Sequence, residues 1–411
     1  MSVPISRCRV CQGTNLAVVV DLGIQALTGV FPSKVDQVVP TAPLELVRCD
    51  NDDGCGLVQL RHSVDPSLLY GANYGYRSGL NASMTRHLRH RIAQIEQQRP
   101  LSDGELVIDI GSNDGTALGF YPDTLHRIGI DPTASQFADY YPNGSIIVPE
   151  LYSKEVALDA TGGRSAAVIT SFSMFYDLED PVRFAQSVRD VLADNGIWVF
   201  EQSYLPSMLD NVSYDTVCHE HLEYYGLTQI KWILDAIEMT IVDVEFNRIN
   251  GGSFCLTAAK TPASEDWQLA TSLADEAERR LRTDDPYSSF RSAVEEHRSK
   301  LITLISDRIA AGDRIAGLGA STKGNVILQY CDLTPSDITV IGEVNTNKIG
   351  CFTPGTLIPI VAEDEVLEDE YDVLLVLPWH FRSTFEQKIL KGKSQLLFPL
   401  PKPELASPKT T

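Results

Sequence analysis

The stretch VIDIGSNDGTALGFYPDTLHRIGIDP, residues 107–132, constrains this chain more than any other. Leu106–Ile110 is an apolar run that ends at a glycine, and it reads as a buried strand. Gly111-Ser112-Asn113-Asp114-Gly115 follows as a tight turn whose glycines let the backbone come close to a ligand. Thr116–Leu125 then reads as a helix shortened by Pro122, and Ile128–Ile130 as a second strand closed by Asp131. An acidic residue at that position, about 20 residues after the first glycine, suits the paired hydroxyls of a ribose. The expected fold class is therefore α/β, with a Rossmann-like, doubly wound domain that holds an adenosine-bearing cofactor.

The turn also restricts which cofactor. A dinucleotide pyrophosphate calls for G-x-G-x-x-G at a helix N-terminus. Here G-S-N-D-G breaks that spacing, and Asp109 and Asp114 set two carboxylates beside the turn. They oppose a pyrophosphate and suit a ligand with a cationic end, such as the sulfonium and ammonium of S-adenosylmethionine. The expected cofactor contacts are Asp109, Gly111, Ser112, Asn113, Asp114, Gly115 and Asp131. A further strand, Ser165–Ser171, delivers Phe172 and Ser173 at its carboxyl end, the edge where open α/β sheets bind ligands. A strand at Ser145–Val148, a helix at Pro181–Leu192, a strand at Ile197–Glu201 and a final hairpin strand within Asn250–Ala259 complete a cofactor domain over residues 101–260.

With 411 residues the chain exceeds what one core usually serves. Its net charge of -21 opposes non-specific binding to nucleic acid and to anionic membranes. No 18-residue apolar run is present, and the N-terminus lacks the apolar centre of a signal peptide. A cytoplasmic protein, a monomer or small homo-oligomer with no nucleic-acid or membrane partner, is the expectation. In a reducing compartment clustered cysteines suggest metal. Cys8-x2-Cys11 and Cys49-x5-Cys55 supply four thiolates within residues 1–70, a sufficient set for structural zinc. The second spacing departs from the usual C-x2-C, so free thiols stand as the alternative. Residues 71–100 read as a helical linker, with a helix capped by Asn81 or Ser83 running through Gln98. Ahead of it the glycine-spaced loop carries Tyr74 and Tyr76.

A second concentration of chemistry is Cys218-His219-Glu220-His221-Leu222-Glu223-Tyr224-Tyr225. On an extended segment H-x-H would put both imidazoles on one face. A metal pair, acid–base work by a histidine tuned by the adjacent carboxylate, and a solvated structural segment are the three readings. Residues 261–310 read as two exposed connecting helices. In residues 311–411 a strand, a Gly317-x-Gly319 turn and a helix recur, now with Ser321, Lys323 and Asn325 at the helix start, an arrangement fit for a phosphate. Strand-like runs at Ile338–Gly342, Leu357–Val361 and Asp372–Leu377 follow, the last leading to Pro378-Trp379-His380.

Taken in order, four N-terminal cysteines, Y-x-Y-x-S-G at Tyr74–Gly79, GSNDGT, HEHxxYY, GGS, GxGAxxKG, a PGT segment at Pro354–Thr356 and PWH resemble one family along nearly the whole chain. It is the S-adenosylmethionine-dependent sugar C-methyltransferases of deoxysugar biosynthesis, which act on nucleotide-linked 4-keto-deoxyhexoses. The resemblance implies a general base at His221 with Glu220 beside it, and Tyr74 or Tyr76 in the sugar pocket. It implies cofactor on the 111–115 turn, and a nucleotide sugar between the central and C-terminal domains, touching Ser321, Lys323, Asn325, His219 and Tyr224. Methyl transfer to carbon, C3 in the expectation, follows; sugar O-methylation and a catalytically inactive sugar-nucleotide-binding relative are the alternatives. Cys218 stands where members of that family carry tyrosine, which bears on the substrate more than on the reaction.

Overall fold

The computed structural model describes residues 2–69, 77–261, 267–389 and 394–407. The expectations for Tyr74 and Tyr76 lie outside the described residues.

A seven-stranded sheet carries the central part of the chain. From edge to edge it runs Thr240–Asn247, Ser253–Ala259, Leu192–Ser203, Ala166–Phe172, Leu106–Ile110, His126–Ile130 and Ile146–Val148. The last five pair in parallel, and Ser253–Ala259 is antiparallel to both neighbours. The five residues of Leu106–Ile110 are all buried, as a central parallel strand requires. The strand order reverses between Leu106–Ile110 and Ala166–Phe172, and that switch point opens a crevice at the carboxyl ends. The helix expected over Thr116–Leu125 is replaced by one short 3₁₀ turn, Leu118–Phe120. Pro122, which lacks an N–H and fixes its φ, ends any helix there after less than two turns. The helix Ala82–Gln98, capped by Asn81 through bonds from the Ser83 and Met84 amides, is no free linker. It lays Leu88, Ile92 and Ile95 on the sheet against Val107, Val168 and Val199.

The N-terminal sheet has four strands, in the order Glu223–Tyr224, Val58–Leu60, Thr41–Cys49 and Leu16–Ala26. Its edge strand comes from the central part of the chain: Glu223 pairs with Gln59 and Tyr224 with Val58. A third, six-stranded sheet runs Ile360–Ala362, Ile341–Glu343, Ile315–Leu318, Val373–Val376, Gln395–Phe398 and Glu404–Ala406. Its strand order also reverses at Ile315–Leu318, so the C-terminal part has its own switch point.

The connecting helices are not both exposed, as the charge pattern suggested. Asp285–Ala310 buries Tyr287, Phe290, Val294, His297, Leu301 and Ile305. That stripe recurs every three or four residues and packs into the core shared by the N-terminal and C-terminal sheets. Charged neighbours on the other faces hide it in the sequence. Among the described residues no helix is long and apolar enough to cross a membrane.

Candidate active site

The cofactor turn is held by its own neighbourhood. Gly111 and Gly115 have φ of +69° and +71°, and Asn113 has φ of +51°. A Cβ on Gly111 would lie 2.9 Å from the Met174 side chain, and one on Gly115 would lie 2.7 Å from the Tyr141 ring. Asp131 fixes the turn from the end of the next strand: its Oδ2 accepts the Asn113 amide at 2.9 Å, and its Oδ1 accepts the Thr133 amide and hydroxyl. Tyr141 donates its hydroxyl to the Asn113 carbonyl at 2.9 Å, so Ser112 Oγ donates to Tyr141 at 2.7 Å. Asp109 is buried and accepts the Thr170 hydroxyl at 2.6 Å. Burial pushes its carboxyl up to about 7, with Asp131 adding to the rise, so a cation beside it would restore the ionised form.

Asp109, Gly111, Ser112, Asn113, Asp131, Phe172 and Ser173 border one cleft of about 440 Å³. Asp114 and Gly115 do not; the Asp114 carboxylate accepts the Gly79 amide and the Thr116 hydroxyl and faces Arg77. Of the two carboxylates expected to meet a cationic ligand, Asp109 borders the cleft and Asp114 ties down the segment entering the helix Ala82–Gln98.

The same cleft is bordered by Cys218, Glu220 and His221. Residues 214–221 are a 3₁₀ turn followed by tight turns, so H-x-H does not lie on an extended strand and the two imidazoles part company. His221 Nδ1 donates to the Thr216 carbonyl at 2.9 Å. A carbonyl only accepts, so the hydrogen sits on Nδ1 and Nε2 keeps its lone pair. Tyr224 donates to the same carbonyl at 3.0 Å, and the Tyr176 ring stands edge-on at 4.4 Å. Burial, then the charge of Lys323, lower the His221 imidazole to about 3, which keeps it neutral. Burial raises the Glu220 carboxyl; it accepts the Thr28 hydroxyl at 3.4 Å.

His219 turns the other way. Its Nε2 meets the Ala42 carbonyl at 3.1 Å and its Nδ1 the Thr28 hydroxyl at 3.5 Å, in the N-terminal sheet region. Asn325 donates to the Thr28 carbonyl at 2.7 Å. None of His219, Tyr224 and Asn325, the residues expected to touch a substrate, borders the cleft; His219 and Asn325 bond Thr28, and Tyr224 bonds the Thr216 carbonyl. Ser321 and Lys323 do border it. Ser321 caps the helix Thr322–Tyr330 by accepting the Gly324 amide.

Sequence reasoning missed Gly29, Phe31, Lys348 and His380, all on the cleft wall. His380 was visible as the residue ending a strand edge. The others arrive through long-range packing. A Cβ on Gly29 would fall 2.2 Å from the Glu220 carboxylate, and Lys348 donates to the Ala320 carbonyl at 2.8 Å while its ammonium lies over the Phe31 ring.

The four cysteines lie apart from the cleft. Their sulfurs fall within 4.8 Å of one another, with Cys8–Cys55 at 3.5 Å and Cys11–Cys49 at 3.4 Å. Tetrahedral zinc with bonds of about 2.3 Å needs sulfurs about 3.8 Å apart, so the set fits the ion closely. The C-x5-C spacing closes because residues 51–54 turn back, the Gly54 amide donating to the Asn51 carbonyl at 3.0 Å. All four positions are sulfur, which leaves zinc no open site and a structural role.

An α/β switch-point crevice with an acid-lined glycine turn, together with a cysteine zinc knuckle, defines an S-adenosylmethionine-dependent methyltransferase. Comparisons agree. Residues 8–70 match a family model described as a zinc binding domain, 80–244 a methyltransferase domain, and 248–401 a C-methyltransferase C-terminal domain. C-methyltransferase NovU of Streptomyces niveus is 28% identical over 419 residues, covering 99% of this chain and 98% of the relative. Among solved structures, the plantazolicin methyltransferase BpumL in complex with SAH aligns at 12% identity and TM-score 0.36, over 45% of this chain and 87% of the other. The CurJ carbon methyltransferase aligns at 17% and 0.35, over 49% and 62%. Three family matches in order thus join a zinc binding domain, a methyltransferase domain and a C-methyltransferase C-terminal domain in this one chain.

Proposed function

We propose that this enzyme methylates a nucleotide-linked 4-keto-deoxysugar at a carbon beside the ketone, C3 by resemblance. The reading rests on one observation above all: a neutral imidazole at His221, whose Nε2 has no hydrogen-bond partner among the described residues, borders the same cleft as the 111–115 turn and the two lysines Lys323 and Lys348.

A C–H next to a ketone is weakly acidic, and one base suffices to remove it. His221 Nε2 takes that proton, with Nδ1 anchored on the Thr216 carbonyl so that the ring stays in one tautomer. Glu220 sets the polarity of the wall beside it. Asp109, Asp131 and the 111–115 backbone hold the cofactor, which supplies an electrophilic methyl group when bound. Ser321 and Lys348, beside the helix N-terminus, offer an anionic diphosphate its donors. Orientation of two bound reactants across the cleft supplies much of the rate.

The test is a reaction with methyl-labelled cofactor and a panel of nucleoside-diphosphate 4-keto-6-deoxyhexoses. Carbon NMR of the product should show a new C–CH3 signal on C3. A methyl on C5, the other carbon flanking the ketone, would keep the chemistry and correct the position. A methyl on oxygen, or no transfer to any sugar of the panel, would overturn the reading.

A further inference from the structure

The two lysines that border the cleft sit in different company. Lys348 is spent in part: its ammonium donates to the Ala320 carbonyl and lies 4.5 Å from the centre of the Phe31 ring, next to Ser321 and the helix N-terminus. Among the described residues Lys323 has one hydrogen-bond partner, the Asn250 carbonyl at a long 3.5 Å, which leaves its remaining N–H bonds free for a ligand. Lys323 borders the cleft together with Cys218, His221 and His380, and the helix that carries it packs on the Tyr214–Thr216 turn. Asp215, the acid in that turn, is buried and already accepts the Trp379 indole N–H at 2.8 Å. A cation placed there faces the reacting end of a ligand. Lys348 and Ser321, also on the cleft, remain for the diphosphate end.

Building on the keto-sugar reading, we infer that Lys323 is a catalytic residue, the ammonium that receives the developing enolate oxygen, and no part of a phosphate cradle. As the C–H bond breaks, its proton passes to His221 Nε2 and its electron pair moves through the forming C=C bond onto the ketone oxygen. Lys323 N–H donates to that oxygen, now anionic. The electron pair then returns to form the new C–C bond to the methyl carbon while the methyl–sulfur bond breaks, the pair staying on sulfur. The proton on His221 leaves to solvent. Lys323 also couples the two halves of the proton transfer. In the free site its charge opposes a proton on His221; once an enolate oxygen sits on the ammonium, that opposition is cancelled. Donors aimed at a developing oxyanion are worth about 10²–10³ in rate.

Lys323→Met and Lys348→Met separate the roles. With a panel sugar that the native enzyme methylates, Lys323→Met should lower kcat about 10²–10³-fold. Its KM should stay within about threefold, and exchange of the sugar's α-hydrogen into deuterated water, without cofactor, should fall in parallel. Lys348→Met should raise KM and keep kcat. Calorimetric binding of S-adenosylhomocysteine reports whether each variant is folded. If Lys323→Met does not bind it, Lys323→Arg decides, and should retain part of kcat. Normal kcat and exchange with a raised KM in Lys323→Met, or in the Arg variant no deficit of kcat at all, would overturn the assignment. Native enzyme inert in both transfer and exchange across the panel would remove the keto-sugar reading itself, and this role with it.

Discussion

The cofactor turn and the base segment border one cleft but are built in opposite ways. Residues 111–115 are fixed by partners close in sequence: Ile130, Asp131 and Tyr141, with Gly79 and Ser78 at the rim. Residues 214–221 depend on distant ones. The segment runs directly into the strand Glu223–Tyr224, which is the edge of the N-terminal sheet, and the Leu60 amide donates to the Leu222 carbonyl at 2.8 Å. Gln229 donates to the Cys55 carbonyl at 2.9 Å, tying the helix after the segment to the cysteine cluster. Thr28 and Gly29 set the walls for His219 and Glu220, and Trp379 of the C-terminal part holds Asp215. On the proposed reading, cofactor binding is thus a local property, and base placement a property of the assembled chain.

The sharpest way to break this contrast is to remove the metal. Structural zinc in small sites is worth about 10–16 kcal/mol in binding, so its loss should unfold residues 1–70 as a unit. The strand Val58–Leu60 would then no longer hold Glu223–Tyr224 in register. Chelation, or Cys49→Ala, should abolish methyl transfer by more than about 10³-fold. Binding of S-adenosylhomocysteine should weaken by no more than about tenfold, because among the described residues no hydrogen-bond partner of the 111–115 turn comes from that sheet. Isothermal calorimetry alongside a transfer assay measures both; equal loss of binding and transfer would make the contrast false.

His221→Asn comes next. It keeps a donor for the Thr216 carbonyl and removes the lone pair. A positioned base contributes about 10²–10⁴ in rate, and kcat should fall within that range. Cofactor binding should be unchanged. Retained turnover would remove His221 as base.

These differences explain what the sequence could reveal. The turn was legible, since its geometry is written in five consecutive residues, Gly111–Gly115, and in one acid, Asp131, that closes the next strand. That Tyr224, His219 and Asn325 do not border the cleft was hidden, because polar residues near a motif look alike until the fold shows which way each side chain turns. His219 and Asn325 both point at Thr28, 191 and 297 positions away, a pairing no local pattern carries. The helix expected after the turn failed for a local reason, Pro122. Lys348 and Phe31 gave no signal at all: one follows a surface turn, the other a proline-bounded loop, and only packing of the first sheet on the third brings them together.

A substitution confined to the turn should do the reverse of zinc removal. Gly111→Ala places a Cβ 2.9 Å from Met174 at a φ of +69°. A left-handed conformation costs a non-glycine residue about 1–2 kcal/mol, so cofactor affinity should fall about tenfold or more. At saturating cofactor kcat should stay within a few-fold of native, since the base segment has no part in that strain. A lost kcat with normal affinity would show that the turn positions the methyl group more than it binds the nucleoside.

The smallest expected effect, and the one that separates the two regions without any mutation, is the response to pH. Asp109 is pushed up to about 7 by burial, whereas burial and Lys323 hold His221 down near 3. A cationic ligand binds the ionised form of Asp109, so its affinity rises with pH up to about 7 and is flat above. Between pH 8 and pH 6 the dissociation constant of S-adenosylmethionine should therefore rise about tenfold. His221 is neutral throughout that interval, so kcat at saturating cofactor and sugar should lack an acid limb from the imidazole above about pH 5. A fall in kcat centred near about 6.5 with a constant dissociation constant would reverse the assignment: the histidine would then be in water-like surroundings and the carboxylate ionised, and the contrast between a locally built cofactor site and a buried, remotely held base would fail at both ends.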